Sequence, residues 1–167
     1  ENAVLATGRL DAVERVNVGA RVSGEVKSLK VKLGDRVTKG QPIADIDDLQ
    51  QRNDLRNAEA ALNVIKAELQ AKQAQLKQAE SRFKRQRRML NDEASSREDF
   101  ETAEATLATT RAEQLSLNAS LVQAQIEVDK KKIDLGYTRV VAPMDGIVIA
   151  VVTQQGQTVN SSQSAPT

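Results

Sequence analysis

The stretch LRNAEAALNVIKAELQAKQAQLKQAESRFKRQRRML, residues 55–90, decides the fold. Leu55, Leu62, Leu69, Leu76, Phe83 and Leu90 recur in it every seven residues without a miss. A second row, three residues on, is Ala58, Ile65, Lys72, Ala79 and Gln86. A strict seven-residue repeat is narrower than the apolar stripe of a globular helix and favours a left-handed coiled coil. The helix is expected to begin near Asp47, with Asp47 or Asp48 as its N-terminal cap, and to run to about Asn91. At ~1.5 Å per residue that is roughly 65 Å.

The polar run Asn91-Asp92-Glu93-Ala94-Ser95 breaks the pattern. Phe100, Leu107, Leu121, Val128 and Leu135 then resume the same period, with Gln114 as the polar member. Ser95 or Ser96 is placed to cap this second helix, with Glu98 or Asp99 completing a capping box. The helix is expected to end at about Leu135, with Gly136 in the usual C-terminal position. The arms are nearly equal, so the break reads as the tip of an antiparallel hairpin.

Outside the hairpin, each flank carries half of a small β unit. Upstream, Gly24-Glu25-Val26 leads through Leu29, Val31 and Leu33 to Gly34-Asp35-Arg36-Val37, then to Gly40-Gln41-Pro42-Ile43-Ala44-Asp45-Ile46. Downstream, Tyr137 to Ala142 and Ile147 to Val152 read as strands around the turn Pro143-Met144-Asp145-Gly146, followed by Gly156-Gln157-Thr158-Val159. Gly24 and Gly34 stand ten residues apart, as do Gly146 and Gly156; Val26 and Val37 stand eleven apart, as do Val148 and Val159. This internal repeat predicts two halves of one β-sandwich, neither able to close its apolar face alone. Their packing should bring the two ends of the helical insert side by side. Val16, Val18 and Val22 suggest a further strand, and residues 1–12 an extended orphan segment. The fold class is α+β, a β-sandwich split by a long helical hairpin.

Composition narrows the function. Lys plus Arg (24) nearly balance Asp plus Glu (23), so no global field points to nucleic acid or an anionic membrane. The absence of Cys and His excludes disulfides, thiolate and imidazole metal ligands, and the usual general base near neutral pH. The acid pairs Asp47/Asp48 and Asp92/Glu93 read as caps and solvated turns rather than catalytic or metal-binding pairs. Gly34-Asp35 is not followed by the Lys-Ser/Thr of a phosphate loop. A non-enzymatic protein with no cofactor is expected. The opening at Glu1 and the close at Ser164-Ala165-Pro166-Thr167 suggest a fragment whose leader or anchor lies upstream.

The split arrangement and four stretches carry a family resemblance. Val4-Leu5-Ala6-Thr7-Gly8-Arg9-Leu10-Asp11-Ala12, Val18-Gly19-Ala20-Arg21-Val22-Ser23-Gly24, Tyr137-Thr138-Arg139-Val140-Val141-Ala142-Pro143-Met144 and Gly156-Gln157-Thr158-Val159 resemble periplasmic adaptors. These are the HlyD-like membrane fusion proteins of tripartite efflux pumps, and the likeness is to their macrolide-efflux branch. It implies a lipoyl/biotinyl-type sandwich in two halves, residues 16–46 and 136–167. Residues 47–135 form the hairpin, with its tip near 91–96, and residues 1–15 are an orphan strand of a β-barrel domain. It implies a Gram-negative periplasmic protein anchored at the inner membrane and assembled as a hexameric funnel. Its partners would be an inner-membrane ABC transporter of the MacB type and an outer-membrane channel of the TolC type.

The resemblance also assigns site residues. Adaptors that dock on such channels carry an Arg, a Leu four residues on and a Ser seven further. Arg85 and Ser96 match that spacing, and Met89 replaces the Leu. Gln163, before Ala165-Pro166, matches a residue that projects into the family's central channel, where six amides would form a gate. Lipoylation is not expected, because no Lys occupies a tight turn where Asp45-Ile46-Asp47-Asp48 and Asp134-Leu135-Gly136-Tyr137 meet the hairpin. Other readings are an adaptor for type I secretion or proton-driven efflux, a cytoplasmic lipoyl-like carrier with a coiled-coil insert, and a purely structural coiled coil.

Overall fold

The structure is a computed structural model that describes residues 15–161. The expected strand in residues 1–12 and the residue Gln163 lie outside them. The described residues divide into two compact units, 15–47 with 137–161, and 48–136.

In the first unit, β1 (Gly24–Leu29), β2 (Arg36–Val37) and β3 (Pro42–Ile46) come from one flank of the helices. The other flank supplies β4 (Arg139–Val141), β5 (Gly146–Ile147) and β6 (Thr158–Val159). They form a four-stranded sheet in the order β4-β3-β1-β6 and a two-stranded sheet, β2-β5. The pairing explains the repeat. An offset of 122 residues carries Gly24 onto Gly146, and Val37 onto Val159. Gly24 pairs with Val159 while Val37 pairs with Gly146, so each half lends its edge to the other. The loops obey the same exchange. The N–H of Gly34 donates to the carbonyl of Val148 at 2.8 Å, and that of Gly156 to the carbonyl of Val26 at 2.9 Å. Gly34 (φ 88) and Gly156 (φ 83) both take the left-handed conformation that glycine adopts without steric cost. Glycine recurs here because the turn geometry recurs.

The core beneath these turns is small. Val31, Val37 and Ala142 are buried, with Leu29, Ile43 and Val148 packed against them. Val26 and Ile46 are buried as well. Each Val, Leu or Ile side chain among them contributes about 1.5–3 kcal/mol when fully buried. Across one sheet face, Asp45 gathers Ser28 at 3.0 Å, Lys30 at 2.6 Å and Arg139 at 3.9 Å. The Lys30 ammonium lowers the Asp45 pKa below its usual 3.8, with Ser28 and Arg139 adding to that effect against partial desolvation. The strand ends leading to the helices are neighbours, since Asp45 pairs with Arg139 and the Ile46 N–H donates to the carbonyl of Thr138 at 2.8 Å.

The second unit is an antiparallel pair, α1 (Leu49–Asn91, 43 residues) and α2 (Arg97–Gly136, 40 residues). Every residue of both heptad rows of α1 is buried or half-buried, and so are Phe100, Leu107, Gln114, Leu121, Val128 and Leu135 of α2. The facing row of α2, not drawn from the sequence, is Ala103, Thr110, Leu117, Ala124 and Lys131. Polar seam members are accommodated individually. Lys72 crosses to Glu113 at 2.8 Å, and the buried Thr110 hydroxyl donates to the carbonyl of Thr106 at 2.8 Å. Such polar insertions set register at some expense in stability.

Four local expectations are corrected. Residues 16–22 form no strand: Val16 and Val18 are exposed, and alternation without a neighbouring edge makes no ladder. The strand expected over Ile147–Val152 is a ladder only at Gly146–Ile147, and Ile149, Val151 and Val152 are exposed. Asp48 occupies the cap position of α1 without a capping hydrogen bond, because its carboxylate turns to Arg52 at 2.7 Å. Gly136 is the last residue of α2 rather than a left-handed cap beyond it.

Candidate functional site

The hairpin tip carries Arg85, Met89 and Ser96, and local chemistry shapes it from both sides. The seam closes near the tip with the chain's two phenylalanines, Phe83 and Phe100, whose rings lie 5.4 Å apart and tilted by 36°. Such a pair contributes about 0.5–1.5 kcal/mol beyond its burial. Helix α1 then ends in a Schellman motif. The Ala94 N–H donates to the carbonyl of Met89 at 2.8 Å, and the Glu93 N–H to that of Leu90 at 3.1 Å. This motif needs a left-handed residue, and Glu93 supplies it at φ 55, where glycine is usual. Sequence patterning misses this cap because glutamate carries no left-handed signal.

On the far side of the turn, Ser96 caps α2. Its hydroxyl oxygen accepts the Asp99 N–H at 3.1 Å, and its O–H donates to the Asp99 carboxylate at 2.7 Å. The acids Glu98 and Asp99 in the first turn of α2 complement the positive end of the helix dipole. Ser95 donates to the Gln86 amide oxygen at 2.7 Å, tying the turn back to the seam of α1. The turn is thus pinned on both flanks.

The candidates fall differently on this frame. Arg85 is exposed and forms no ion pair among the described residues. Met89 lies four residues on along α1 and is 36% exposed, whereas Leu90 turns into the seam and is half-buried. Ser96 is exposed, but its hydroxyl is engaged in the cap. Lys84, Arg87 and Arg88 share the exposed basic end of α1. Such a tip can offer charge-assisted donors and one soft apolar side chain to a partner.

Among the described residues, no cluster of three potential metal ligands occurs, and no helix is long and apolar enough to cross a membrane.

Comparison with known proteins agrees with this geometry. Residues 14–167 match the family model for the barrel-sandwich hybrid domain of RND membrane fusion proteins. The chain is 42% identical over 166 residues to the macrolide export protein MacA of Escherichia coli O157:H7, covering 99% of this chain and 45% of that protein. It is 45% identical over 166 residues to PvdR, a pyoverdine export membrane fusion protein of Pseudomonas putida, covering 99% of this chain and 42% of that one. The crystal structure of MacA from Actinobacillus actinomycetemcomitans superposes with a TM-score of 0.89 at 39% identity, over 94% of this chain and 48% of that one. The chain therefore spans less than half the length of these relatives.

Proposed function

The chain belongs to the membrane fusion protein family of periplasmic, non-enzymatic adaptors, and we propose that it serves a tripartite, ABC-type drug efflux pump. In this reading it links a MacB-type inner-membrane transporter to a TolC-type outer-membrane channel, as one subunit of a hexameric funnel anchored at the inner membrane. Residues 16–46 and 136–167 form the two halves of its lipoyl-like domain, residues 47–135 the projecting hairpin, and residues 1–15 the first strand of a further β-barrel. In this reading the cargo would be macrolide-like, which the name of one relative supports; the comparable likeness to a pyoverdine exporter supports a second reading with pyoverdine-like cargo. The cytoplasmic carrier reading has no support from the family.

The observation that carries the proposal is the tip. A seam this regular suits a stiff arm, and the arm ends in a turn pinned by two caps beside the exposed Arg85, which forms no ion pair among the described residues. Arg85 would bond to carbonyl or carboxylate groups of the channel, and the exposed Met89 rather than Leu90 would fill an apolar groove. Ser96 would present its edge there while capping α2. Gln163 would line the central channel as part of an amide ring.

Binding of the intact protein to an immobilised TolC-type channel tests this. Arg85→Ala removes a charge-assisted bond and should weaken binding about ten- to a hundredfold. Ser96→Asn retains a capping side chain, so a binding loss there isolates docking from helix stability. Unchanged affinity in both variants would refute the tip assignment. Gln163→Ala should speed leakage through the reconstituted pump, and unaltered leakage would remove the gate.

A further inference from the structure

The chain has no cysteine and no tryptophan, so its most readily oxidised atoms are the sulfurs of its two methionines, Met89 and Met144. Both side chains reach solvent. Met89 is 36% exposed at the tip, and Met144 is 39% exposed in the turn between β4 and β5. Oxidation of a thioether to the sulfoxide turns a flexible apolar group into a polar one with a strong hydrogen-bond acceptor.

Met89 differs from Met144 in what surrounds it. Leu90, next along α1, is half-buried and carries the heptad packing at that level, so the seam does not use the Met89 side chain. The Met89 carbonyl accepts the Ala94 N–H at 2.8 Å, so the cap of α1 is closed by main-chain atoms that oxidation leaves untouched. Arg85 stands four residues earlier, one turn away on the same face of the helix. Side chains at that spacing are neighbours, with Cβ atoms about 5–6 Å apart. Arg85 is exposed and forms no ion pair among the described residues. A new acceptor on Met89 is therefore within reach of its guanidinium.

We propose that Met89 is an oxidation site that switches the tip from a docking to a non-docking form. With a peroxide, the thioether sulfur attacks one oxygen, the O–O bond breaks, and the proton on the attacked oxygen passes to the departing hydroxide. The sulfur keeps one oxygen and is oxidised by two electrons; the peroxide is reduced and leaves as water. The sulfoxide acts twice on one face. It is too polar for an apolar groove, and its oxygen accepts a hydrogen bond from Arg85, drawing that donor away from the partner. Enzymatic reduction to the thioether resets the tip. Because Leu90 and the main-chain cap hold the hairpin, the change is local and leaves the fold intact. The inference rests on the channel-docking reading, for which it names a form of regulation.

The intact protein is treated with hydrogen peroxide, freed of it, and presented to the immobilised TolC-type channel, while peptide mass mapping follows the gain of oxygen at each methionine. Affinity should fall about ten- to a hundredfold as Met89 is converted. It should return after treatment with methionine sulfoxide reductases and a dithiol. Met89→Leu should show the same affinity before and after peroxide, whereas Met144→Leu should remain as sensitive as wild type. In Arg85→Ala the peroxide effect should shrink, since no guanidinium is left to capture. The melting temperature should hold throughout. Undiminished binding with Met89 fully converted would overturn the proposal alone. So would an equal loss in Met89→Leu, a loss that tracks a fall in melting temperature, or a Met89 that resists peroxide while Met144 is converted. Absence of binding before any treatment would instead sink the docking reading, and this inference with it.

Discussion

The hairpin and the β unit solve opposite problems. In the hairpin, each turn of α1 is stabilised by the turn of α2 beside it, and neighbouring layers repeat the same contact. In the β unit, no half closes by itself. Strand β1 needs β6 from beyond the helices, and β5 needs β2 from before them. Local regularity makes the hairpin tolerant of a damaged layer. Interlocking makes the sheet unit depend on a few positions whose partners are far away in the chain.

The largest expected effect tests the hairpin. Leu107 is buried in the seam, and Leu107→Ala should cost about 2–5 kcal/mol by denaturant unfolding. Amide exchange should quicken around that layer first, while Val26 and Val37 keep their protection. Equal loss of protection in both regions would show that they do not open independently.

A smaller effect tests the interlock. A Cβ on Gly24 would meet Ile46 Cγ2 at 2.6 Å, whereas its repeat mate Gly146 has nothing within 4 Å. Gly24→Ala should therefore cost about 1–3 kcal/mol, with Gly146→Ala near neutral. Equal losses would mean that the repeat constrains both glycines alike.

The smallest effect concerns charge. Asp45→Asn should cost about 1 kcal/mol or less at neutral pH, since the carboxylate is partly exposed. The Asp45 pKa lies lower in the folded state than in the unfolded chain. Its stabilisation is thus present above the unfolded value near 3.8 and is lost as pH falls through the lower folded value. Thermal melts of wild type and D45N should converge in acid. A constant gap down to the most acidic condition would assign the effect to packing instead.

The same contrast governs what could be read from the residues alone. The heptads state burial directly, because period and seam are one quantity on a helix. The paired glycines were legible for a similar reason: one turn geometry demands one residue type twice. Strand extents were not. Val16, Val18 and Ile147 to Val152 have the apolar character of strands, yet a strand exists only where an edge is offered. At the tip, Ser96 was legible as a cap because Asp99 follows at the right spacing. The cap formed by Glu93 and the bond from Ser95 to Gln86 were hidden, since neither depends on a preferred residue type.

The exchange of edges between β1–β6 and β2–β5 gives the helices a further role. They are a tether that raises the effective concentration of two fragments already made for each other. A protease nick in the exposed turn Asp92–Ala94 would leave two polypeptides, each with one helix and three strands among the described residues. Both seam and ladders would still hold those fragments together, so the nicked protein should migrate as one species until denatured.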